Sequence, residues 1–386
     1  MSTMSTFSSH YGPYKQTVSG QPPIENVFIF GAGASFASKA PLMSNFLNTA
    51  DDLLRSGAFE EDSNEIEEVF KTKTSLGGVY RSSYLDINNI ESLFGAIEMG
   101  STLQRLGNFT GKSKISSIRK ALVKMIVRTL ELSINFRKNT NGVVNDIGDY
   151  NRFSEIIKEL FPNSCAITFN YDLALDVSLY NQYNDINYCL NLEDNSSFKL
   201  LKLHGSTNWA QIMDKENTIV PCPIDRLIES AHSSPGRHSH SRENYKIHAS
   251  KFIQSDWFTD YLSRNNYSSS RVNDVPVIVP PTWNKTEYHG TLSNVWQAAS
   301  TALSTARNIY VIGYSLPESD SFFRYLFALS SLNNPSIRCF RVFNPDPKGG
   351  EVDNRFSRMI GAGIKDYYQY YPITFRAALD SVFSPK

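Results

Sequence analysis

Asn26-Val-Phe-Ile-Phe-Gly-Ala-Gly-Ala-Ser-Phe36 runs four apolar residues, Val27 to Phe30, into a glycine pair and a serine. An apolar run this short, stopped by glycine, reads as a buried strand feeding a tight turn. Glycines let a backbone approach a pyrophosphate closely, and a helix starting after such a turn offers free N–H groups and a positive dipole end. Taken alone, the turn leaves two readings open, a nucleotide site and a plain tight turn. Two departures speak against a hydride-transfer enzyme. The third glycine of the usual fingerprint is replaced by Phe36, and no acidic ribose ligand follows a second strand about 20 residues on.

Beyond the turn, Phe46, Leu47, Ala50, Leu53 and Leu54 recur at helical spacing, with Gly57 as a stop. Further helical stretches carry Ile90, Leu93, Phe94 and Ile97, then Ile115, Ile118, Leu122 and Ile126. A helical insertion over about 51–150 is therefore expected. Strand character returns at CAITFN (Cys165–Asn170) and at KLLKLHGSTNW, which ends in a polar turn at His204–Asn208. A polar, partly flexible insertion is expected over about 213–273, with SSPGRHSHSREN its most loop-like piece. The last third alternates strand and helix: VPVIVPP, TLSNVWQAASTALSTA, NIYVIGYS, ESDSFFRYLFALSSL, IRCFRVFNPD, EVDNRFSRMIG. This alternation predicts an α/β fold, a Rossmann-like parallel sheet covered on both faces, plus the helical insertion as a smaller subdomain. Ligands in such sheets bind at the carboxyl ends of strands, where every polar turn named here falls.

The whole chain sets further bounds. Its 386 residues can bury a large core, and Lys plus Arg equals Asp plus Glu at 38 each, so bulk charge points to neither a nucleic-acid nor a membrane partner. The cysteines, Cys165, Cys189, Cys222 and Cys339, form no CxxC pair and read as reduced thiols of a cytoplasmic protein. Residues 1–25, rich in Ser, Thr, Gly and Pro, read as a flexible arm ahead of a domain spanning 26–386. His232, His238, His240 and His248 lack the cysteine or carboxylate spacing of a metal site, so no metal is predicted.

Four motifs lie at strand ends in order: GAGAS, TFNYD (Thr168–Asp172), KLHGS (Lys202–Ser206) and VIGYSLPESD (Val311–Asp320). The series resembles the sirtuin-like superfamily of NAD-consuming proteins, and specifically the sirtuin-like proteins of bacterial antiphage defence, over about Asn26 to Asn344. The resemblance implies roles by position. Gly31, Ala32, Gly33 and Ser35 would line the pyrophosphate and adjoining ribose. Asn170 would contact the nicotinamide ribose and position the attacking water. Asp172 would hold the nicotinamide amide or order the loop, and His204 would be the base. Gly313 and Ser315, with Asn344 of FNPD, would hold the adenosine half, and Tyr314 would be pocket wall or ribose contact.

The residue types suit that chemistry. Nicotinamide is a cationic leaving group, so cleavage of its glycosidic bond gives an oxocarbenium-like centre that needs little acid. It gains from a neutral imidazole as base and an amide that fixes ribose and water in line. Structural readings stand beside these: a hydrogen-bonded core histidine at 204, helix caps at Asn170 and Asp172, and an acidic first turn at Glu318, Ser319 and Asp320.

The chain departs from the sirtuin deacylases. It lacks their two zinc-binding CxxC pairs, and SKAPLMSNF stands where their GIPDFR-type loop would be, with Phe46 a partial stand-in and no arginine. VIVPPTWNK (Val277–Lys285) places two prolines where they would pair a peptide strand. Water is then the expected acceptor, and NAD hydrolysis to nicotinamide and ADP-ribose in abortive infection the expected activity. The chain ends soon after the sheet, so control by a homo-oligomer or a partner is expected, a HerA-type ring ATPase by analogy. The amphipathic tail TFRAALDSVF is read as a partner contact or as core packing. An NAD or ADP-ribose sensor without turnover, and less favoured a deacylase or ADP-ribosyltransferase, remain the alternatives; direct nucleic-acid binding is not expected.

Overall fold

The five residues Asn26–Phe30 are all buried, as a strand bordered by strands on both edges and helices on both faces requires. In the computed structural model, which describes residues 22–81, 83, 85–191, 197–213, 218–234, 244–267, 271–279, 286–332, 334 and 336–383, this strand is the middle of a parallel sheet. Its seven strands are β1 (Asn26–Phe30), β2 (Ser164–Thr168), β3 (Ile186–Asn187), β4 (Phe198–Lys202), β5 (Asn308–Ile312), β6 (Cys339–Phe343) and β7 (Tyr368–Tyr371). They lie in the order β7-β6-β5-β1-β2-β4-β3. β1 pairs in register with β2 on one edge and β5 on the other, Phe30 facing both Thr168 and Ile312. The chain builds outward from β1 through β2 and β4, then returns to β1's other side. That reversal opens a crevice at the carboxyl ends of β1 and β5.

Alternation sorts the side chains onto two faces. On one, Phe28 stacks on Tyr310 and meets Phe153 of helix α5 (Tyr150–Leu160), while Phe30 meets Phe375 of helix α13 (Phe375–Ser381). On the other, Phe340 packs between Phe327 of helix α11 (Ser321–Ser331) and Phe356 of helix α12 (Glu351–Met359). Helix α10 (Thr286–Thr305) packs against α11 and over β4, and helix α6 (Ala174–Tyr183) follows β2. The tail therefore packs on the core, the second of its two expected uses.

Helices α1 (Phe46–Arg55), α2 (Ser63–Ser75), α3 (Ile90–Leu103) and α4 (Lys112–Ser133) form the helical insertion around α4, where Ile115, Ile118, Leu122 and Ile126 are buried. It ends in strands rather than helix. A hairpin of Phe136–Lys138 and Val144–Asp146 turns at Asn139, whose side-chain oxygen accepts the N–H groups of Asn141 and Val143. That hairpin pairs with Asn244–Lys246, and so with His232–Ser234, so the two insertions share one antiparallel sheet. The polar insertion also forms helices α7 (Ile224–Glu229), α8 (Ala249–Ile253) and α9 (Asp256–Arg264). Residues 1–21 of the expected arm and 235–243 of the loop-like piece lie outside the described residues.

Two expectations need correction. Of VPVIVPP, Val275–Val279 adds no strand to the parallel sheet, and Pro280 and Pro281 lie outside the described residues: Val277–Val279 runs antiparallel to the HGS turn, with Val279 N–H donating to the His204 carbonyl and Ser206 N–H to that of Val277. Pro276 has no N–H to give a ladder. Within GAGAS, Ala32–Ser35 forms a four-residue 3-10 turn, and α1 starts only at Phe46. The helix that follows the turn therefore does not begin at it.

Candidate active site

The first and fourth motifs are locked together before any ligand is considered. Gly33 N–H donates to the Gly313 carbonyl at 2.9 Å, and Gly313, with φ of 62°, lies so close that an added Cβ would stand 2.3 Å from Ala34 N. Gly313→Ala therefore meets a left-handed backbone and a backbone clash at once, for an expected loss of at least about 2 kcal/mol. A melting curve beside a nucleotide-binding titration checks it: both fall together if this contact aligns the two turns.

Asn170 joins the second motif to the first. Its side-chain nitrogen donates to the Gly31 carbonyl and to Ser35 Oγ, both at 3.0 Å, and lies 3.4 Å from the Tyr150 hydroxyl. A carbonyl only accepts, so the NH2 group must face it, which leaves the amide oxygen for other partners. Tyr150 is fully buried, and its hydroxyl is 2.9 Å from Ser35 Oγ. No sequence motif marked it, because it arrives from the first turn of α5.

Beneath these residues Lys202 is buried, its ammonium donating to Asp176 at 2.8 Å and to the Asp172 carbonyl at 2.6 Å. Asp176 also accepts from the Tyr188 hydroxyl at 2.6 Å. Asp172 accepts from Ala174 N–H at 3.0 Å, a local bond one residue ahead of Leu173, the N-cap position of α6. Burial raises the pKa of its carboxyl, against the pull of the Lys202 charge.

Asp146, at the end of the insertion hairpin, is buried nearby. Desolvation pushes its carboxyl up to about 6, while the Ser38 hydroxyl and the N–H groups of Gly148 and Tyr150 act in the opposite sense. An unfolded aspartate titrates near 3.9, so the folded state favours the protonated form, and the stabilisation this brings is present at low pH and lost as pH rises through about 6. Asp146→Asn removes that slope. Urea titrations at pH 4 and pH 7.5 should show the variant gaining about 2 kcal/mol on wild type as pH rises.

Above this floor opens a cavity of about 700 Å³ over the β1/β5 crevice. Of the residues singled out from sequence, Gly31, Ala32, Gly33, Asn170, His204, Gly313, Tyr314, Ser315 and Asn344 all line it. Ser35 and Asp172 instead line a smaller adjoining pocket with Ile90, Ile126 and Leu130, and Asn170, Ala32, Phe169 and Tyr171 border both. Asn344's side-chain oxygen is already engaged, accepting from Asp346 N–H at 3.0 Å.

His204 leaves β4 just ahead of Gly205, whose φ of 86° turns the chain. Its Nε2 is 3.2 Å from Asp320 Oδ1, with both side chains almost wholly buried, and Phe169 lies edge-on at 5.1 Å. The Tyr314 hydroxyl donates to Asp320 Oδ2 at 3.0 Å, and its ring stacks on Phe169 at 4.1 Å. Asp320 does fall in the acidic turn before α11, and its side chain also turns inward to His204. The sequence reading missed the far wall too: Arg355 of α12, and Thr374, Phe375 and Arg376 from the tail, line the cavity, with Arg376 bound to Asp149.

No protein-family model and no curated protein matches the chain. It is similar in structure to Sir2 proteins. A Sir2 homolog in complex with NAD is 11% identical, with a TM-score of 0.38, over 93% of this chain and 88% of that one. Sir2Tm bound to a propionylated peptide is 11% identical, with a TM-score of 0.32, over 93% and 94%. A complex of Sir2, p53 peptide and NAD+ is 11% identical, with a TM-score of 0.33, over 93% and 91%. At that identity and score, the chemistry of this chain rests on its own residues.

Of the histidines weighed for metal, His248 lies 3.0 Å from the buried Arg128 guanidinium, and His238 and His240 lie outside the described residues. Among the described residues no group of three His, Cys, Asp or Glu could hold a metal ion, and no helix is long and apolar enough to cross a membrane.

Proposed function

We propose that this chain hydrolyses NAD at the nicotinamide–ribose bond, giving nicotinamide and ADP-ribose. The observation that carries the reading is the convergence of Asn170 and His204, from separate strand ends, on one cavity whose size suits a dinucleotide. In it Ala32, Gly33 and Ser35 serve the pyrophosphate and adjoining ribose, and Asp172 the nicotinamide side. Gly313, Tyr314, Ser315 and Asn344 border the adenosine half.

The step balances simply. The C1′–N bond breaks with its electron pair passing to the pyridinium nitrogen, water adds to the oxocarbenium-like carbon, and one proton leaves by way of His204. Asn170, anchored by its NH2 group, has its amide oxygen to hold ribose or water. The adjoining pocket, lined by Ile90, Ile126, Leu130 and Asp172, is about 40 Å³ and would have to widen to take the nicotinamide ring.

The biological setting belongs to the same proposal: NAD depletion in antiphage defence in the cytoplasm, held in check by self-assembly or by a partner such as a HerA-type ATPase. Incubating NAD with the protein, alone and with such a partner, and following nicotinamide and ADP-ribose tests the activity. Tight NAD binding without turnover in any assembly state would make it a sensor instead.

A further inference from the structure

Nothing in the four motifs assigns a task to Asp320 beyond starting a helix, yet its carboxylate turns into the site. One oxygen faces His204 Nε2 at 3.2 Å, and the other accepts from the Tyr314 hydroxyl at 3.0 Å. Both side chains of the His–Asp pair are nearly inaccessible to water, which keeps the interaction unscreened. Phe169 stacks on Tyr314 and sets its edge against His204, so all three groups have little room to rotate.

We infer that Asp320 is the positioning residue of the base, holding His204 as the Nε2–H tautomer so that the lone pair lies on Nδ1. This rests on the proposed NAD cleavage. A carboxylate oxygen facing a ring nitrogen accepts that nitrogen's proton, and the neutral imidazole then has one basic atom left. In the reaction a ribose or water O–H gives its proton to Nδ1. The imidazolium that forms is stabilised by Asp320, and the proton is later released to solvent. Tyr314 keeps the carboxylate from swinging away. The pair comes from the HGS turn after β4 and the acidic turn before α11, so two separate motifs supply one acid–base unit between them.

Asp320→Asn tests this with little change of shape. The Tyr314 hydroxyl donates, so it draws the new amide's oxygen, which turns the NH2 toward His204 Nε2 and forces that nitrogen to accept. The proton moves to Nδ1, and the base is lost. Expected at pH 7 is a fall in kcat of about 100-fold or more, with KM for NAD within about threefold, and Asp320→Glu recovering part of the rate. The acidic limb of the pH–rate profile should move to lower pH, because the imidazolium loses its counter-ion. Among the described residues, titratable groups near His204 include Tyr171 and Tyr314, which burial holds neutral, and Glu91, which lines the same cavity; Arg324 acts on Tyr314. A purely structural role would lower melting temperature without moving that limb.

A second measurement does not depend on turnover. In protein labelled with nitrogen-15 histidine, the His204 ring signals, identified by their loss in His204→Gln, should show a protonated Nε2 and a bare Nδ1. A protonated Nδ1 in the neutral wild-type ring, or an Asp320→Asn variant with unchanged kcat and pH profile, overturns the assignment. If wild type cleaves no NAD in any assembly state, the proposed activity fails while the ring spectrum still decides the tautomer.

Discussion

His204→Ala should lower NAD cleavage by about 10²–10⁴-fold, the span usual for removing a positioned general base, while NAD affinity changes little. The side chain is nearly buried against Phe169 and Asp320, so its loss leaves a small gap beside the Asp320 carboxylate rather than removing a binding contact. Asn170→Ala should cost about 10²-fold or more through lost alignment, and it should also weaken binding, because the same NH2 group ties the Gly31 turn and Ser35 to β2. Asn170→Asp is expected to be no milder. It would set a carboxylate oxygen against the Gly31 carbonyl, where only a donor fits. Single-turnover release of nicotinamide, with NAD binding measured separately, separates these effects. Wild-type turnover from His204→Ala would remove this residue from the chemistry.

Lys202→Met should be the most damaging single change to stability. Lys202 and Asp176 are almost entirely inaccessible, and breaking such a pair by removing one member costs about 3–5 kcal/mol, because the other charge stays buried without compensation. The same ammonium holds the Asp172 carbonyl, so the TFNYD turn loses its brace as well. Pairing Lys202→Met with Asp176→Leu should recover a good part of the loss, since an apolar pair leaves no stranded charge, though the Tyr188 hydroxyl then lacks its acceptor. Urea midpoints of the two single variants and the double variant give the coupling. Additive losses would mean that the pair is not interacting as described.

The parallel sheet was legible because its strands are short apolar runs stopped by Gly, Asn or His. Val27–Phe30, Ala166–Thr168 and Ile309–Ile312 need no partner information to be recognised. β7 escaped because YQYY is a short edge strand with one buried side chain, Tyr370. The insertion hairpin escaped because its pairing partner, Asn244–Lys246, lies about a hundred residues away in a stretch of polar composition. Most residues singled out from sequence do line the cavity, since the order of four strand-end motifs brings them to one rim. What the motifs could not give were the groups that meet the site through packing. Tyr150 comes from α5, Arg355 from α12 and Arg376 from the tail, none with a local pattern that distinguishes it from an ordinary helix residue.

The joined insertions have one more consequence. Arg128 of α4 holds Glu131 at 2.9 Å and reaches Asp62 at 3.2 Å, while Glu131 accepts from Ser250 N–H at 2.7 Å and Ser250 Oγ at 2.8 Å. Two stretches far apart in sequence are thus bolted by shared charge as well as by shared strands. They should open as one unit when amide protons exchange with solvent. Any force applied at the polar stretch is then felt at α4, whose Ile126 and Leu130 line the inner pocket beside Asn170.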